Sequence, residues 1–541
     1  MMAALFCLGM LLTTLPAGRE EQGPTAYRIS GVVVDAGNGV PVAHAEVSIS
    51  EGPDEAKTTA GDDGRFVFQG LEAGKYPLFA TAQGYVRQGY NQHGGFQTAI
   101  AVGSELDSEH VIFRLHRQVI ITGRVSDEHG EAVRQAQVML FSTESASGRN
   151  GRFVQAQMQT DDLGEYRFGR LQAGKYYVAV VARPWYAQTG FSYLPEQDRN
   201  SFRSRNRGAF RDPSLDVVYP ITFYPGVTEE QAAGELNLTA GEKVVANVQL
   251  QAVPAVHLRL TNLLGGENAI QIGANEKLFG TMEMGLGFAS SQISPGEYEV
   301  AGLPPGDIKL IINQGGSQGS SSRTIRANVS EGDTLDGAGT GATANVSGRV
   351  IFPAGDANRA RGQLSLVGED TQGPSAVLEK DGRFSFASVQ EGTYKVFVNL
   401  PGGDEYVGGV YATGANASGR EITIAGAGDV QLTIKMGTGV GQVTGVAKIE
   451  GKPTAGVMVL LAPETWQNLQ EDSRLDQSDS DGTFALGGIL PGKYLLVAIE
   501  DGWDLEWTNE TVLKPYLMKG QTLQISANEQ KKVVVEVQHK M

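Results

Sequence analysis

One sequence cassette occurs five times in this chain of 541 residues, and each copy keeps two glycines ten positions apart. In the first copy, Asp63-Gly64-Arg65-Phe66-Val67-Phe68 is followed by Leu71 and then by Gly74-Lys75-Tyr76. The five glycine pairs are Gly64/Gly74, Gly164/Gly174, Gly296/Gly306, Gly382/Gly392 and Gly482/Gly492. Repetition at about one domain length predicts an array of similar modules. It favours a structural over a catalytic role for the cassette, because a pattern present in every module usually builds the module.

Alternating apolar and polar residues predict that the modules are made of short strands. Each module except the third begins with a strand that carries a central glycine, as in Ile29-Ser30-Gly31-Val32-Val33 and Ile121-Thr122-Gly123-Arg124-Val125. Period-two alternation indicates half-buried strands, and sustained helical periodicity is nearly absent. About seven short strands per hundred residues is the pattern of a β-sandwich. The predicted fold class is therefore all-β, a tandem array of about five Ig-like or prealbumin-like sandwiches.

The cassette itself has a mechanical interpretation. Asp-Gly supplies a turn in which glycine adopts a positive φ, and Phe66 and Phe68 then share one face of the next strand. The sequence Leu71-x-x-Gly74-x-Tyr76 predicts a tyrosine corner, in which the phenol reaches a backbone group while the ring packs. The third copy has Ile308 in place of the tyrosine and no Asp-Gly turn before Gly296, so the third module is predicted to be degenerate.

These marks predict the domain boundaries. Module 2 carries the one large insertion, 183–226, which is rich in aromatic residues and arginine. The predicted segments are a signal peptide (1–18), module 1 (26–117), module 2 (118–252), module 3 (253–335), a flexible linker (336–343), module 4 (344–437) and module 5 (438–541).

Charge and the amino terminus indicate where the chain works. The net charge of −17 argues against a nucleic-acid partner. An apolar run from Ala3 to Leu12, followed by Ala17 and Gly18, predicts a cleaved signal peptide, and the run is too short for a membrane span. Cys7 lies inside this segment, so the mature chain has no cysteine and each module depends on its own apolar core. We therefore expect an exported bacterial protein that is periplasmic, on the cell surface or extracellular, without a transmembrane span.

The repeated residues resemble the carboxypeptidase regulatory-like domain, a transthyretin-like sandwich grouped with the carbohydrate-binding-like folds. The resemblance rests on [Ile/Val]-[Ser/Thr]-Gly-x-Val, Asp-x-Gly-x-[Phe/Tyr]-x-Phe and Leu-x-x-Gly-x-Tyr, and it covers four modules well and the third weakly. It implies an accessory domain that occurs beside peptidases, in outer-membrane receptors and as secreted tandem arrays. No binding residue of that family can be carried over to this sequence.

Searches for catalytic motifs favour a protein that is not an enzyme and has no cofactor. None of the seven histidines has a glutamate three residues later, which removes the ligands of a zinc carboxypeptidase. His110 and His116 flank one strand and form a poor zinc pair. Gly315-Gly316-Ser317-Gln318-Gly319 matches the serine-hydrolase pattern, but a serine-rich segment follows where a helix is required, so we predict a flexible loop.

Two kinds of site remain as candidates. Asp476, Asp479 and Asp481 form a weak calcium candidate, although turn chemistry explains the aspartates better. Trp185, Tyr186 and Tyr193 in the insertion form one aromatic patch, and Trp503 with Trp507 forms another; such rings stack on sugar faces. The alternative for both patches is that the rings cover a sandwich end or pack against the next module.

The predicted function is therefore a binding or scaffolding role at the cell envelope or outside the cell, without catalysis. Polysaccharide binding through the aromatic loops is one alternative. An accessory or regulatory subunit of a peptidase or another secreted enzyme is a second alternative. The expected partner is a polysaccharide or another envelope or secreted protein.

Overall fold

The structure is a computed structural model, and it describes residues 26–49, 56–143, 148, 151–188, 212–263, 270–316, 319–338, 341–353, 362–368, 372–400, 405–465 and 469–541. The predicted signal peptide, Cys7, Tyr193 and the arginine-rich part of the insertion lie outside these residues. Strands make up most of the described chain, and they group into five double-sheet modules. The predicted all-β class is confirmed.

The strands of the first three modules are as follows. Module 1 contains β1 (Tyr27–Asp35), β2 (Glu46–Ile49), β3 (Ala56–Thr59), β4 (Arg65–Leu71), β5 (Gly74–Thr81), β6 (Gln88–Gly89), β7 (Ala99–Val102) and β8 (Val111–Leu115). Module 2 contains β9 (Val119–Ser126), β10 (Gln137–Ser142), β11 (Phe153–Gln159), β12 (Glu165–Leu171), β13 (Gly174–Val181), β14 (Val217–Val218), β15 (Thr222–Phe223), β16 (Leu236–Leu238), β17 (Lys243–Val245), β18 (Val248–Gln249) and β19 (Val253–Pro254). Module 3 contains β20 (Val256–Thr261), β21 (Ile270–Leu278), β22 (Met282–Gly285), β23 (Ala289–Ser294), β24 (Glu297–Leu303), β25 (Gly306–Gly316), β26 (Gly319–Val329) and β27 (Thr334–Asp336).

The last two modules hold the remaining strands. Module 4 contains β28 (Thr343–Ile351), β29 (Gln363–Gly368), β30 (Gln372–Val377), β31 (Arg383–Gln390), β32 (Gly392–Asn399), β33 (Glu405–Thr413), β34 (Asn416–Ser418), β35 (Glu421–Ile424) and β36 (Gly428–Thr438). Module 5 contains β37 (Gly441–Ile449), β38 (Lys452–Pro453), β39 (Met458–Pro463), β40 (Arg474–Gln477), β41 (Thr483–Ile489), β42 (Gly492–Ile499), β43 (Gln521–Ile525) and β44 (Gln530–Gln538). The helices among the described residues are the α-helices Leu469–Asp472 and Glu510–Leu517 and the 3₁₀ helices Pro213–Leu215, Glu230–Ala232 and Gly502–Asp504.

All modules share one topology. The first strand pairs antiparallel with the strand that follows the first cassette glycine, and a late strand of the module pairs with the first strand in parallel on its other side. The parallel registers are Gly31↔Val111, Ile121↔Val244, Leu260↔Leu335, Gly348↔Leu432 and Gly445↔Val533. The second sheet packs over the first, and in modules 1, 2 and 4 the aromatic pair points into the core between them. In module 5 the end of β44 also pairs with β42, which joins both sheets into one.

The central glycine of the first strand is required by packing. A Cβ at Gly123 would overlap the carbonyl oxygen of Ala246 and the ring of Tyr166, which packs across it. The first glycine of the cassette is required by backbone conformation, since Gly64 has a φ of +73° and a Cβ there would lie 2.6 Å from the carbonyl oxygen of Val33. The other four copies, Gly164, Gly296, Gly382 and Gly482, have φ values of +73°, +78°, +83° and +77°.

The predicted tyrosine corner is present in four modules. Each phenol donates to the carbonyl oxygen four residues earlier, at 3.0 Å from Tyr76, 2.7 Å from Tyr176, 2.8 Å from Tyr394 and 2.7 Å from Tyr494. In the third module, Ile308 is 4% exposed and fills the core position without a hydrogen bond. The cassette is therefore a turn, a core-facing pair that is aromatic in modules 1, 2 and 4, and a hydrogen-bonded corner in every module except the third.

One local prediction is wrong. The serine-rich segment after Gly316 was expected to be a loop, but it is strand β26, and the register Gly316↔Gly319 closes a hairpin with β25. Pairing along eleven residues of β25 overrides the loop-like composition. Between modules 3 and 4, β27 ends at Asp336 and β28 begins at Thr343, the two ends of the predicted linker.

The described part of the insertion belongs to the body of module 2. Tyr219 and Phe223 are 6% and 1% exposed, and β14 pairs with β19 just beyond the predicted module boundary. No helix of the described residues has the length and hydropathy needed to cross a membrane.

Candidate binding surfaces and module interfaces

Modules 1 and 5, at opposite ends of the chain, dock on each other through the cassette turn of module 5. The Asp479 carboxylate accepts the backbone N–H of Ala99 at 2.9 Å. The Ser480 N–H donates to the carbonyl oxygen of Ala99 at 3.0 Å, and its hydroxyl accepts the N–H of Ala101 at 2.8 Å. These bonds satisfy the free edge of strand β7, whose backbone groups would otherwise face solvent.

Side chains extend this contact, which we name the 1–5 interface. Lys75 Nζ lies 2.5 Å from Asp479 Oδ2. The amide of Gln477, itself 1% exposed, donates to the carbonyl oxygen of Asn91 at 2.7 Å and to Thr98 Oγ1 at 2.8 Å. Buried hydrogen bonds of this kind fix the orientation of the two modules, because a displaced partner would leave polar groups unsatisfied.

Trp503 lies at the same interface. Its ring stacks on His93, with centroids 5.1 Å apart and an interplanar angle of 5°, and it packs against Phe96 at 5.4 Å. The indole N–H donates to the carbonyl oxygen of Gly456 at 3.1 Å. Both the ring and its polar atom are therefore engaged within the protein, as the packing alternative for this patch expected.

Trp507 is 8% exposed and belongs to a second core of module 5, beneath the Glu510–Leu517 helix. A Cβ on Gly148 of module 2 would overlap the Trp507 ring, which shows how closely the two modules approach here. The Thr508 hydroxyl donates to the Gly148 carbonyl oxygen at 2.6 Å. Trp503 and Trp507 thus do not form one open aromatic patch.

Trp185 differs from both, because 87% of it is exposed. The neighbouring ring of Tyr186 meets it edge-on, with centroids 5.9 Å apart. Tyr186 donates its hydroxyl to the Glu128 carboxylate, which also accepts from Tyr219 at 3.2 Å. Burial and the hydrogen bond to Glu128 raise the pKa of Tyr186 to about 12. Tyr186 therefore holds this segment against module 2, while the Trp185 ring faces solvent. Ligand binding at Trp185 stays a prediction.

The three aspartates of the calcium candidate have protein donors. Asp476 accepts the N–H of Ala485 at 2.7 Å, and Asp481 accepts the N–H and hydroxyl of Thr483 at 3.0 and 2.5 Å. Asp479 is engaged by module 1. Within the described part of the chain, the group of three side chains close enough to share a metal is instead Asp127, Glu128 and His129. Its carboxylates already accept bonds from backbone N–H groups and from the two tyrosines.

The joint between modules 2 and 3 contains a histidine and two carboxylates that the sequence did not indicate as a cluster. His257 lies between two carboxylates, with Nε2 2.7 Å from Asp216 and Nδ1 3.2 Å from Glu299. Burial lowers the pKa of His257, but Glu299 and Asp216 outweigh burial and leave that pKa raised. The three residues are far apart in sequence, so no local motif announces them.

Aromatic packing completes this joint. Phe279 of module 3 inserts among Phe141, Tyr177 and Phe223 of module 2, at centroid distances of 4.8, 5.6 and 5.2 Å. The Arg152 guanidinium covers the Tyr177 ring at 3.9 Å. The sequence signal was that β10 and β13 carry apolar residues on both faces. A strand that packs on one core alone needs apolar residues on only one face.

Comparisons with known proteins agree with the resemblance. Residues 28–104 and 120–251, which make up most of modules 1 and 2, match the model of the carboxypeptidase regulatory-like domain. A comparison with curated protein sequences found no match.

A comparison with solved structures gave matches that include three bacterial proteins. A chain of the Bacillus anthracis TIE protein is 10% identical, with 94% of this chain and 68% of that chain covered and a TM-score of 0.16. The streptococcal ancillary pilin is 10% identical, with 57% and 98% covered and a TM-score of 0.20. The RrgB pilus protein from Streptococcus pneumoniae is 9% identical, with 78% and 98% covered and a TM-score of 0.15. At these scores the likeness carries no conclusion about function.

Proposed function

We propose that this chain, whose first two modules are carboxypeptidase regulatory-like domains, is an exported, non-catalytic scaffold that acts at the cell envelope or outside the cell. The observation that carries the proposal is the 1–5 interface, which fixes the two ends of the array against each other. A chain whose ends are fixed in this way holds its outer surfaces at set distances, which is what a scaffold requires.

The repeated polar residues support the non-catalytic part. The four corner tyrosines and the turn aspartates Asp63, Asp161, Asp381 and Asp481 are hydrogen-bonded to nearby backbone groups. The residues that the modules share are thus used to build the modules. We therefore expect the functional surfaces at positions where the modules differ in sequence.

Export and envelope association are tested by cell fractionation with mass spectrometry of the amino terminus. We expect a chain processed near Ala17 or Gly18 in an extracytoplasmic fraction. Scaffolding is tested by replacing Trp185 with a photo-crosslinking amino acid in cells, with Met518, which is 80% exposed on module 5, as the matched position. A defined envelope component crosslinked at Trp185 but not at Met518 supports the proposal, whereas an unprocessed cytoplasmic chain contradicts it.

Polysaccharide binding is a second candidate, and the exposure of Trp185 is the observation that favours it. An exposed indole that is held in place by its neighbour suits the apolar face of a sugar ring. Affinity electrophoresis in gels containing polysaccharide should show retardation that Trp185→Ala abolishes. Trp503→Ala should retain the retardation, because that ring is stacked on His93. Equal migration of the wild type with and without polysaccharide would remove this candidate.

A further inference from the structure

A cavity of about 850 Å³ lies between modules 2 and 3. Its module 2 wall includes Ile221 and Phe223 and the 3₁₀ helix Glu230–Ala232, and its module 3 wall includes strands β21, β22, β25 and β26. The volume falls within the range of small-molecule sites in proteins, which combine an apolar wall with a few placed polar groups.

The charges in this cavity are not balanced. Glu283 is paired with Lys309, and the Lys309 amine is close enough to hydrogen-bond its carboxylate. Glu230 accepts the N–H of Phe279 at 2.6 Å. The half-buried Glu276 carboxylate, by contrast, accepts no hydrogen bond and forms no ion pair with any residue of the described ranges.

The environment of Glu276 penalises its negative charge. Burial and the neighbouring Glu230 carboxylate together raise the pKa of Glu276 to about 7. A carboxylate beside a second carboxylate, without a counter-charge, is stabilised by any cation that enters the cavity. The other charged residues that line the cavity are Glu229, Lys277, Glu283, Asp307, Lys309 and Arg326.

We propose that this cavity binds an organic cation, in which an amidinium, guanidinium or ammonium group pairs with Glu276 and Glu230 while an apolar portion packs on Pro220, Val253 and Pro305, which line the cavity and are not buried. An organic cation fits better than a metal ion, since the metal-capable groups of three among the described residues do not include Glu276. The apolar part of the cavity wall also offers no ligand atoms to a metal ion. The inference goes beyond the scaffold role and does not depend on it.

The test is isothermal titration calorimetry of the full chain with benzamidine, which joins an amidinium to an apolar ring. Benzamide, its neutral isostere, is the matched control ligand. We expect saturable binding of benzamidine and at least about tenfold weaker binding of benzamide, because the charge-assisted hydrogen bonds are lost. Equal binding of both ligands, or no binding of either, would overturn the proposal.

Two variants and one pH series locate the site. Glu276→Gln keeps the shape and removes the charge, so it should weaken benzamidine binding about tenfold. Glu72→Gln, at an exposed position of module 1, should leave binding unchanged. For the wild type, affinity should fall as the pH is lowered from 8 to 6, because protonation of Glu276 removes the anionic partner. Unaltered benzamidine affinity in Glu276→Gln would contradict the assignment of Glu276 to the site. If that variant does not fold, the comparison with benzamide and the pH series test the proposal instead.

Discussion

The cassette turns of modules 1 and 5 have nearly the same backbone, but they differ in sequence and in their surroundings. Gly64 and Gly482 have φ values of +73° and +77°. In module 1 the Asp62 side chain is 94% exposed and lies near His44. In module 5 the Asp479 side chain is 15% exposed and holds Lys75 and the edge of β7. The same turn backbone is thus free in module 1, where Gly61 stands at the position of Asp479, and forms an interface in module 5.

Removal of the aromatic stack should affect the 1–5 interface most. Trp503→Ala removes the contacts with His93 and Phe96 and the hydrogen bond to Gly456, and we expect a loss of about 2 kcal/mol for this half-buried ring. Small-angle X-ray scattering should show a larger radius of gyration. Trp185→Ala is the matched control, since its exposed ring contributes little to stability. A compact Trp503→Ala variant would contradict the importance of the stack.

A change in pH should affect the joint between modules 2 and 3. The pKa values of Glu276 and His257 are both raised, so the folded state holds their protons more tightly than the unfolded chain does. The contribution of Glu276 to the stability of the folded state is therefore fully present below about pH 4.5, and that of His257 below about pH 6.5. Each contribution is lost as the pH rises through the pKa of that group in the folded state.

We therefore expect the melting temperature to fall by about 2–4 °C between pH 6 and pH 8. Differential scanning calorimetry of the wild type and of the double variant Glu276→Gln/His257→Gln measures the effect. The double variant should show a flatter profile over this range. A wild-type melting temperature that rises over the same interval would show that other groups dominate.

The tyrosine corners of the same two modules should differ in strength. Tyr494 is 3% exposed, whereas Tyr76 is half-buried. Tyr494→Phe leaves the part-buried Leu490 carbonyl oxygen without its phenol donor and should cost about 1 kcal/mol in chemical denaturation. Tyr76→Phe should cost less, because water can replace the phenol at Glu72. Equal losses in both variants would show that solvent access does not decide the difference.

The smallest difference is expected for the turn aspartates. Asp479→Asn removes the charge that faces Lys75 and should destabilise the folded chain by about 0.5–1 kcal/mol at low salt, with a smaller effect at high salt. Asp62→Asn should change stability by less than about 0.5 kcal/mol. Denaturation curves at two salt concentrations separate the two cases. A salt-independent loss at Asp479 would assign the effect to its hydrogen bond with Ala99 instead.

The missed features have a common physical cause. Gln477, His93 and Trp503 are separated by up to 410 positions, and nothing in the local pattern of any of them indicates an interface. Trp503 and Trp185 looked alike in sequence, as aromatic residues in polar loops. One packs between modules and the other faces solvent, because neighbouring modules cover one loop and leave the other open.

The sequence by itself determined the module. The glycine of positive φ occurs in all five copies, the aromatic pair in modules 1, 2 and 4, and the tyrosine that bonds four residues back in every module except the third. These are local requirements, so the cassette specifies the turn in every module and the corner in four of them. Tertiary structure alone decided the arrangement of the modules, the fate of each tryptophan and the cavity beside Glu276. These depend on contacts between distant surfaces, where burial and unpaired charge arise only after the modules meet.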